Sequence, residues 1–270
     1  MIPNVYQRSL HYAFVSLLAI PVSVLATTLP WQGPYVGIYL GGAFGNSETY
    51  TSAGSVTNTS YFATSTDINA VNNAGTWTKE PAAVIVGIAA GHDWVWNQMV
   101  YGIALDYGSM SLNSSNAMTN SYPDNSAQYS VDTSMQTNWL LTLRGRLGYQ
   151  TALKLPALLY MTGGMAMTQL KVSNHFNDNS SLVGAGSNST HQDQIGWTVG
   201  TGIEIAAFHH GSVDIEYLYV DVPSVSTIST IYNTQGGFGI SEQSFGSPFA
   251  TTVNFSANLV RVALNYRFDE

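Results

Sequence analysis

Eight ionisable side chains fall at strand-like spacing: Asp106, Arg144, Arg146, Glu204, Asp214, Glu216, Arg261 and Arg267. Arg144/Arg146 and Asp214/Glu216 are each separated by one residue, and a period of 2 sends both members of a pair to the same face of a strand. Four cations and four anions that share one interior compensate each other, and an unpaired buried charge is strongly destabilising. The chemistry expected of this set is therefore an ion-paired network that packs a lumen. A second reading makes Glu204, Asp214 and Glu216, on neighbouring strands, a proton or cation site; structural packing is the favoured account.

Other chemistry is sparse. His92 closes one apolar segment, and His209-His210 lie in a short turn. His175 and His191 flank a polar stretch; were they to meet at the surface, a metal there would need Asp178 or Asp193 as a third ligand, and such a site is not expected. No metal and no cofactor are expected. There is no Gly-x-Ser-x-Gly elbow and no His-Glu-x-x-His motif, and Gly196 to Gly202 has strand periodicity rather than the shape of a phosphate loop. Catalytic residues are not identified, and an enzyme is not expected. The absence of cysteine removes thiol and disulfide chemistry. A net charge of −8 argues against nucleic acid as a partner, because phosphate recognition needs clustered Lys and Arg.

The elements that must position these charges come from alternation. Eight segments alternate apolar residues with small or polar ones: about 34–47, 82–93, 98–110, 137–149, 157–170, 193–205, 212–221 and 253–268. Typical outward sets are Val36, Ile38, Leu40 and Phe44; Leu141, Leu143 and Leu147; and Val260, Val262, Leu264, Tyr266 and Phe268. The fourth segment sets Asn138, Thr142, Arg144 and Arg146 inward, with Trp139 on the opposite face. The second segment is ambiguous, because Ile85 and Ala89 share a face with Gly87 and Gly91, and a slip of one residue inverts its faces.

The gaps alternate in length. Asp93 to Asn97, Gln150 to Pro156 and Ala206 to Gly211 are short turns. The Ser/Thr/Asn-rich stretches 48–80, 112–136, 172–192 and 223–252 are expected as loops. Hydrophobic residues make up 45% of the chain but charged residues only 9%, which suits a surface that faces lipid better than one that faces water. Short turns on one side and long loops on the other mark an outer-membrane barrel. The expected fold is all-β: a closed, eight-stranded, antiparallel up-and-down transmembrane barrel with short periplasmic turns and four long extracellular loops.

The N-terminal stretch reads as targeting. Arg8 precedes an apolar run from Tyr12 to Ala26 that is too short to span a bilayer, and Val24-Leu25-Ala26 has small-residue cleavage character. The expected organisation is a signal peptide at 1–26, a short segment at 27–33 and the barrel at 34–268.

Four blocks then carry a family resemblance. Trp31-Gln32-Gly33-Pro34-Tyr35-Val36-Gly37, with Gly41-Gly42 and Phe44-Gly45, resembles the opening of the opacity-protein/OmpA-like outer-membrane β-barrels. Gly196 to Glu204 is similar to the family's sixth strand, Glu216 to Asp221 to its seventh, and Arg261 to Phe268 to its closing strand. The resemblance implies a protein of the bacterial outer membrane, exported through the periplasm. It also implies two partners, outer-membrane lipid and the barrel-assembly machinery. The expected role is a surface antigen or adhesin that meets host or extracellular ligands through its loops; the alternative is a narrow porin-like channel for small solutes.

Overall fold

The alternation is expressed in a computed structural model as nine antiparallel strands and one helix among the described residues. The structure describes residues 31–54, 61–62, 64–151, 156–180, 183–233 and 246–268, so the signal-peptide assignment lies outside the described residues. The elements are β1 (Gly33–Ala53), α1 (Ser65–Ala74), β2 (Trp77–Lys79), β3 (Ala82–Trp96), β4 (Met99–Ser121), β5 (Gln128–Thr151), β6 (Ala157–Asp178), β7 (Gly184–Phe208), β8 (Gly211–Asn233) and β9 (Gly246–Arg267). Sequential neighbours pair from β3 to β9, β1 pairs with β3, and β1 also pairs with β9 from Tyr35↔Arg267 to Ala53↔Phe249. That last ladder closes the ring through eight strands and leaves β2 as a short companion to the upper part of β1.

The faces follow the alternation. Val36, Ile38, Leu40, Ile103, Leu105, Leu143, Val199, Val262 and Leu264 point outward and are exposed. Tyr35, Tyr39, Asp106, Arg144, Glu204 and Arg261 point into the lumen and are buried. The ambiguous second segment resolves with Ile85 and Asp93 inside and Val84, Val86 and Ile88 outside. Trp94, Trp96, Tyr149, Tyr266 and Phe268 ring the turn end of the outer wall. The Tyr107–Trp139 and Trp197–Tyr219 ring pairs, with centroids 6.3 and 5.4 Å apart, mark the other edge of the apolar belt. A cation placed within this belt meets acyl chains. Leu143→Arg is therefore expected to destabilise the inserted barrel by about 2–4 kcal/mol, read as a lowered urea midpoint for folding into lipid vesicles.

The bounds expected for the long loops are corrected wherever their residues are described. β3 has 15 residues, but the other ring strands run to 21–25. A tilted strand needs only about 9–11 residues to span the bilayer, so roughly half of each long strand projects beyond the apolar belt. The stretch 112–136 is mostly strand with a turn at 122–127. The stretches 172–192 and 223–252 are, in their described parts, mostly extensions of β6 to β9. Val131, Met135, Leu170, Val172, Phe176, Val225, Ile231, Phe249 and Val253 keep the alternation inside, together with buried Ser114, Thr133, Asn174, Thr227 and Thr251, while the other described Ser, Thr and Asn residues lie mostly on the outer face. Polar composition here records an aqueous exterior, not irregular backbone.

The stretch 48–80 also differs from a simple loop, because it contains α1. Thr64 caps this helix by accepting from Asp67 N at 3.1 Å, and Ile68 and Val71 turn inward over the mouth at the projecting end. One face assignment changes as well. Asn138 is exposed rather than lumenal, because the β5 ladders shift register between Gln136 and Leu141 and the alternation changes phase there.

Candidate functional site

The lumen is built in layers, and its turn-end half is charged. Arg144 donates to Asp106 at 2.7 Å and to Glu216 at 2.5 Å; Arg261 donates to Asp106 at 2.7 Å and to Glu216 at 2.6 Å. These contacts close a ring of two guanidiniums and two carboxylates drawn from β4, β5, β8 and β9. Below it, Arg146 contacts Asp93 at 3.3 Å and Glu204, while Arg267 contacts Asp93 at 2.9 Å and Glu204 at 3.1 Å. This second ring again joins two arginines to two acids, and both rings are buried.

Seven of the eight residues singled out from the sequence thus enter the rings. The eighth, Asp214, stands apart from them and accepts the Tyr160 hydroxyl at 2.9 and 2.8 Å. The eighth ring member is Asp93, which the sequence reading left in a turn. Its signal was parity: Asp93 continues the inward series of Ile85, Gly87, Ala89 and Gly91.

Aromatic rings and glycines fit around the charges. The guanidinium carbons lie 3.8 Å (Arg146 over Tyr160), 4.4 Å (Arg261 over Tyr39) and 4.9 Å (Arg267 over Tyr35) from the ring centroids. Close approach explains two glycines. A Cβ on Gly41 would sit 2.8 Å from that of Arg261, and one on Gly202 would sit 2.4 Å from the Tyr160 hydroxyl. The space left among these groups is a cavity of about 20 Å³. That is room for roughly one water.

Trp31 seals the turn end. It is buried with Val100, Leu158 and Ala206, and its carbonyl accepts from Arg267 at 3.0 Å. Above the rings the lumen becomes apolar: Ile85, Met110, Leu112, Met135, Leu140, Leu170, Leu218 and Phe255 fill the bore. Higher still, α1 and the aromatic cluster of Tyr61, Phe62, Phe176 and Phe249 cover the mouth at the projecting end. Asp178 ties that closure together. It accepts from the hydroxyls of Tyr61 (2.6 Å) and Tyr122 (2.7 Å) and from the backbone N–H of Gly184 (2.7 Å). Burial first, and then the bond to this carboxylate, push both tyrosine hydroxyls well above their usual range. They stay protonated and keep donating.

Among the described residues the histidines do not come together in a metal site. His191 pairs with Lys171 and His175 with Ser187, so the two lie four residues apart along the β6–β7 ladder rather than together. Asp178 is engaged as described, and Asp193 accepts from Gln169 at 2.9 Å. His209 and His210 meet edge to face with ring centroids 4.0 Å apart in the β7–β8 turn, and His92 lies tilted against Trp94 at 4.4 Å.

Comparison with known proteins decides the family. The outer membrane protein beta-barrel domain matches residues 12–268. The chain belongs to this outer-membrane β-barrel family. It is accordingly a protein of the bacterial outer membrane, in the class that its motif blocks resemble. Among relatives of this family, the 31 kDa outer-membrane immunogenic protein of Brucella melitensis is 28% identical over 255 residues, covering 94% of this chain and 90% of the relative. The 22 kDa outer membrane protein of Rhizobium leguminosarum bv. viciae is 30% identical over 138 residues, covering 51% of this chain and 52% of the relative. The attachment invasion locus protein Ail of Yersinia pestis aligns at 10% identity with a TM-score of 0.34, over 87% of this chain and 100% of that one. That last likeness is too loose to carry weight.

Proposed function

We propose that this barrel is a non-enzymatic surface protein, a surface antigen or adhesin, which presents the outer wall and rim of its projecting half while its lumen serves as a packed strut. The observation that carries the proposal is the stacking of apolar and aromatic layers above two closed charge rings, under a tall rim of Ser, Thr and Asn. A bore filled in this way offers rigidity, and a rigid scaffold is where variable recognition is usefully placed. The immunogenic name of the Brucella relative supports the same role. On this reading the partners are outer-membrane lipid around the apolar belt, the barrel-assembly machinery during insertion, and an extracellular ligand at the rim; nucleic acid is not among them.

The chain has no cysteine, which makes orientation directly testable. Met118→Cys and Ser187→Cys on the projecting wall are expected to react with a membrane-impermeant maleimide on intact cells. His209→Cys, in the opposite turn, is expected to react only after permeabilisation. The reverse pattern would put the tall rim in the periplasm and end the proposal.

A further inference from the structure

The two charge rings use four arginines and four acids, and the turn-end half of the lumen holds a fifth acid, Asp214. Asp214 is 8% exposed and makes no salt bridge among the described residues. A buried carboxylate without a cation is strongly disfavoured, and such a group is neutralised by taking up a proton instead. The strand register sharpens the problem. Asp214 stands directly opposite Glu204 on β7, and alternation puts Glu216 two residues further along β8 on the same face. Like charges directly opposite each other destabilise a sheet. On the β9 side its partner is Ala263, which offers no charge.

The cations around Asp214 are committed elsewhere. Arg144 directs its guanidinium to Asp106, Glu216 and the Thr142 and Thr162 hydroxyls, and Arg261 directs its own to Asp106 and Glu216. Arg146 and Arg267 turn to Asp93 and Glu204. Glu204 and Glu216 thus each hold two guanidiniums, and Asp214 holds none. The remaining ionisable groups beside it are the phenols of Tyr35, Tyr39 and Tyr160. Hydrogen bonding points the same way. The Tyr160 oxygen lies 2.9 and 2.8 Å from the two Asp214 oxygens. A phenol has one proton to donate and lone pairs with which to accept. Against a carboxylate, that single proton has to serve both contacts. Against a carboxylic acid there are two protons: the phenol donates to one oxygen, and the acid O–H donates back to the phenol.

We infer that Asp214 holds a proton in the folded barrel at neutral pH, so that the lumen contains a proton-binding site and the charges of its turn-end half balance. The proton belongs to Asp214 rather than to its neighbour Glu204, because Glu204 also takes bonds from Ser212 and Asn265 beside its two guanidiniums. The cavity of about 20 Å³ that Asp214 lines is the size of one water, too small for a hydrated metal cation. Unfolding exposes the group. An aspartate in an unfolded chain is ionised above about pH 4, so above that pH unfolding releases the proton. Stability therefore falls as pH rises, until the folded barrel loses the proton as well.

The test uses the full chain, carbon-13 labelled at its aspartate carboxyls and refolded in detergent micelles. Asp214→Asn removes the Asp214 carboxyl signal and Tyr160→Phe shifts it, so its assignment does not depend on either variant alone. At pH 7 the signal is expected at the position of a protonated carboxyl, with the solvent-exposed aspartates at that of carboxylates. Equilibrium unfolding in urea gives the second readout. From about pH 5 to about pH 7, the unfolding constant of the parent is expected to rise about tenfold per pH unit relative to that of Asp214→Asn, the slope that one released proton imposes. An ionised Asp214 at pH 7 would overturn the inference, and so would parallel pH profiles for the parent and Asp214→Asn. Movement of the signal when sodium is exchanged for N-methylglucamine at constant pH would overturn it too, by placing a metal cation where the proton is assigned. Tyr160→Phe keeps the spectroscopic half decisive if Asp214→Asn fails to refold.

Discussion

Replacing Glu216 by leucine is expected to cost the refolded barrel about 3–5 kcal/mol, the usual penalty for removing one partner of a buried ion pair. Glu216 accepts from Arg144 and Arg261, and both arginines are buried. Without it, two guanidiniums share the single carboxylate of Asp106, which already takes a bond from each. The measurement is equilibrium unfolding in urea from detergent micelles, followed by the heat-dependent gel shift of folded barrels. A companion variant separates charge from packing. With Asp106→Leu, Arg144→Met, Glu216→Leu and Arg261→Met combined, no charge of the ring is left unpaired, and most of the lost stability is expected to return. If Glu216→Leu unfolds within about 1 kcal/mol of the parent, at the level of a surface pair, the ring is hydrated and does not organise the lumen.

The lower ring is the looser of the two. Asp93 Oδ1, Arg146 Nε and Arg267 Nε lack hydrogen-bond partners among the described residues, whereas no ring atom of Asp106, Arg144, Glu216 or Arg261 is left so. Unmet buried groups already carry a desolvation cost in the parent. Removal of Asp93 therefore forfeits less than removal of Glu216, and Asp93→Leu is expected to fall below it in the same assay.

Strand phase was the most legible feature of the sequence, because a lipid-facing wall admits almost no charge. Parity alone put Arg144, Arg146, Arg261 and Arg267 in the lumen, where the structure also places them. Composition, unlike parity, fails where an outward and an inward apolar residue are neighbours. In Trp139-Leu140-Leu141 the lumenal residue is Leu140, and in Tyr217-Leu218-Tyr219 it is Leu218. Neither looks different from its lipid-facing neighbours in sequence, so the apolar inner layer could not be read from composition.

Helix α1 was hidden for another reason. Ser65 to Ala74 is mostly polar and short, and it is held by its surroundings rather than by propensity. Asn72 Oδ1 accepts from Ala53 N at 2.6 Å, Thr51 donates to the Gly75 carbonyl at 2.9 Å, and Trp77 Nε1 donates to Thr133 at 2.6 Å. The tall rim was misread as loops because Ser, Thr and Asn favour both turns and wet strand faces; only the buried partners at every second position distinguish the two.

That inner apolar layer bears directly on whether the barrel conducts. The purified protein is expected to be electrically silent in planar bilayers, and deletion of residues 65–74 is expected to leave it silent. The deletion removes the helical lid, yet Met110, Leu112, Met135, Leu140, Leu170 and Leu218 still fill the bore beneath it, with the two charge rings and Trp31 below them. A bore of eight strands is only just wide enough for its own side chains, and an apolar constriction resists wetting, so an ion meets a dry segment before it reaches any charge. Stable single-channel steps from the intact chain would replace the strut with a passage and revive the narrow-channel reading. Steps that appear only in the deletion would place the seal at α1 and show that the layer beneath it admits water. Silence in both leaves the extracellular wall as the surface on which this barrel acts.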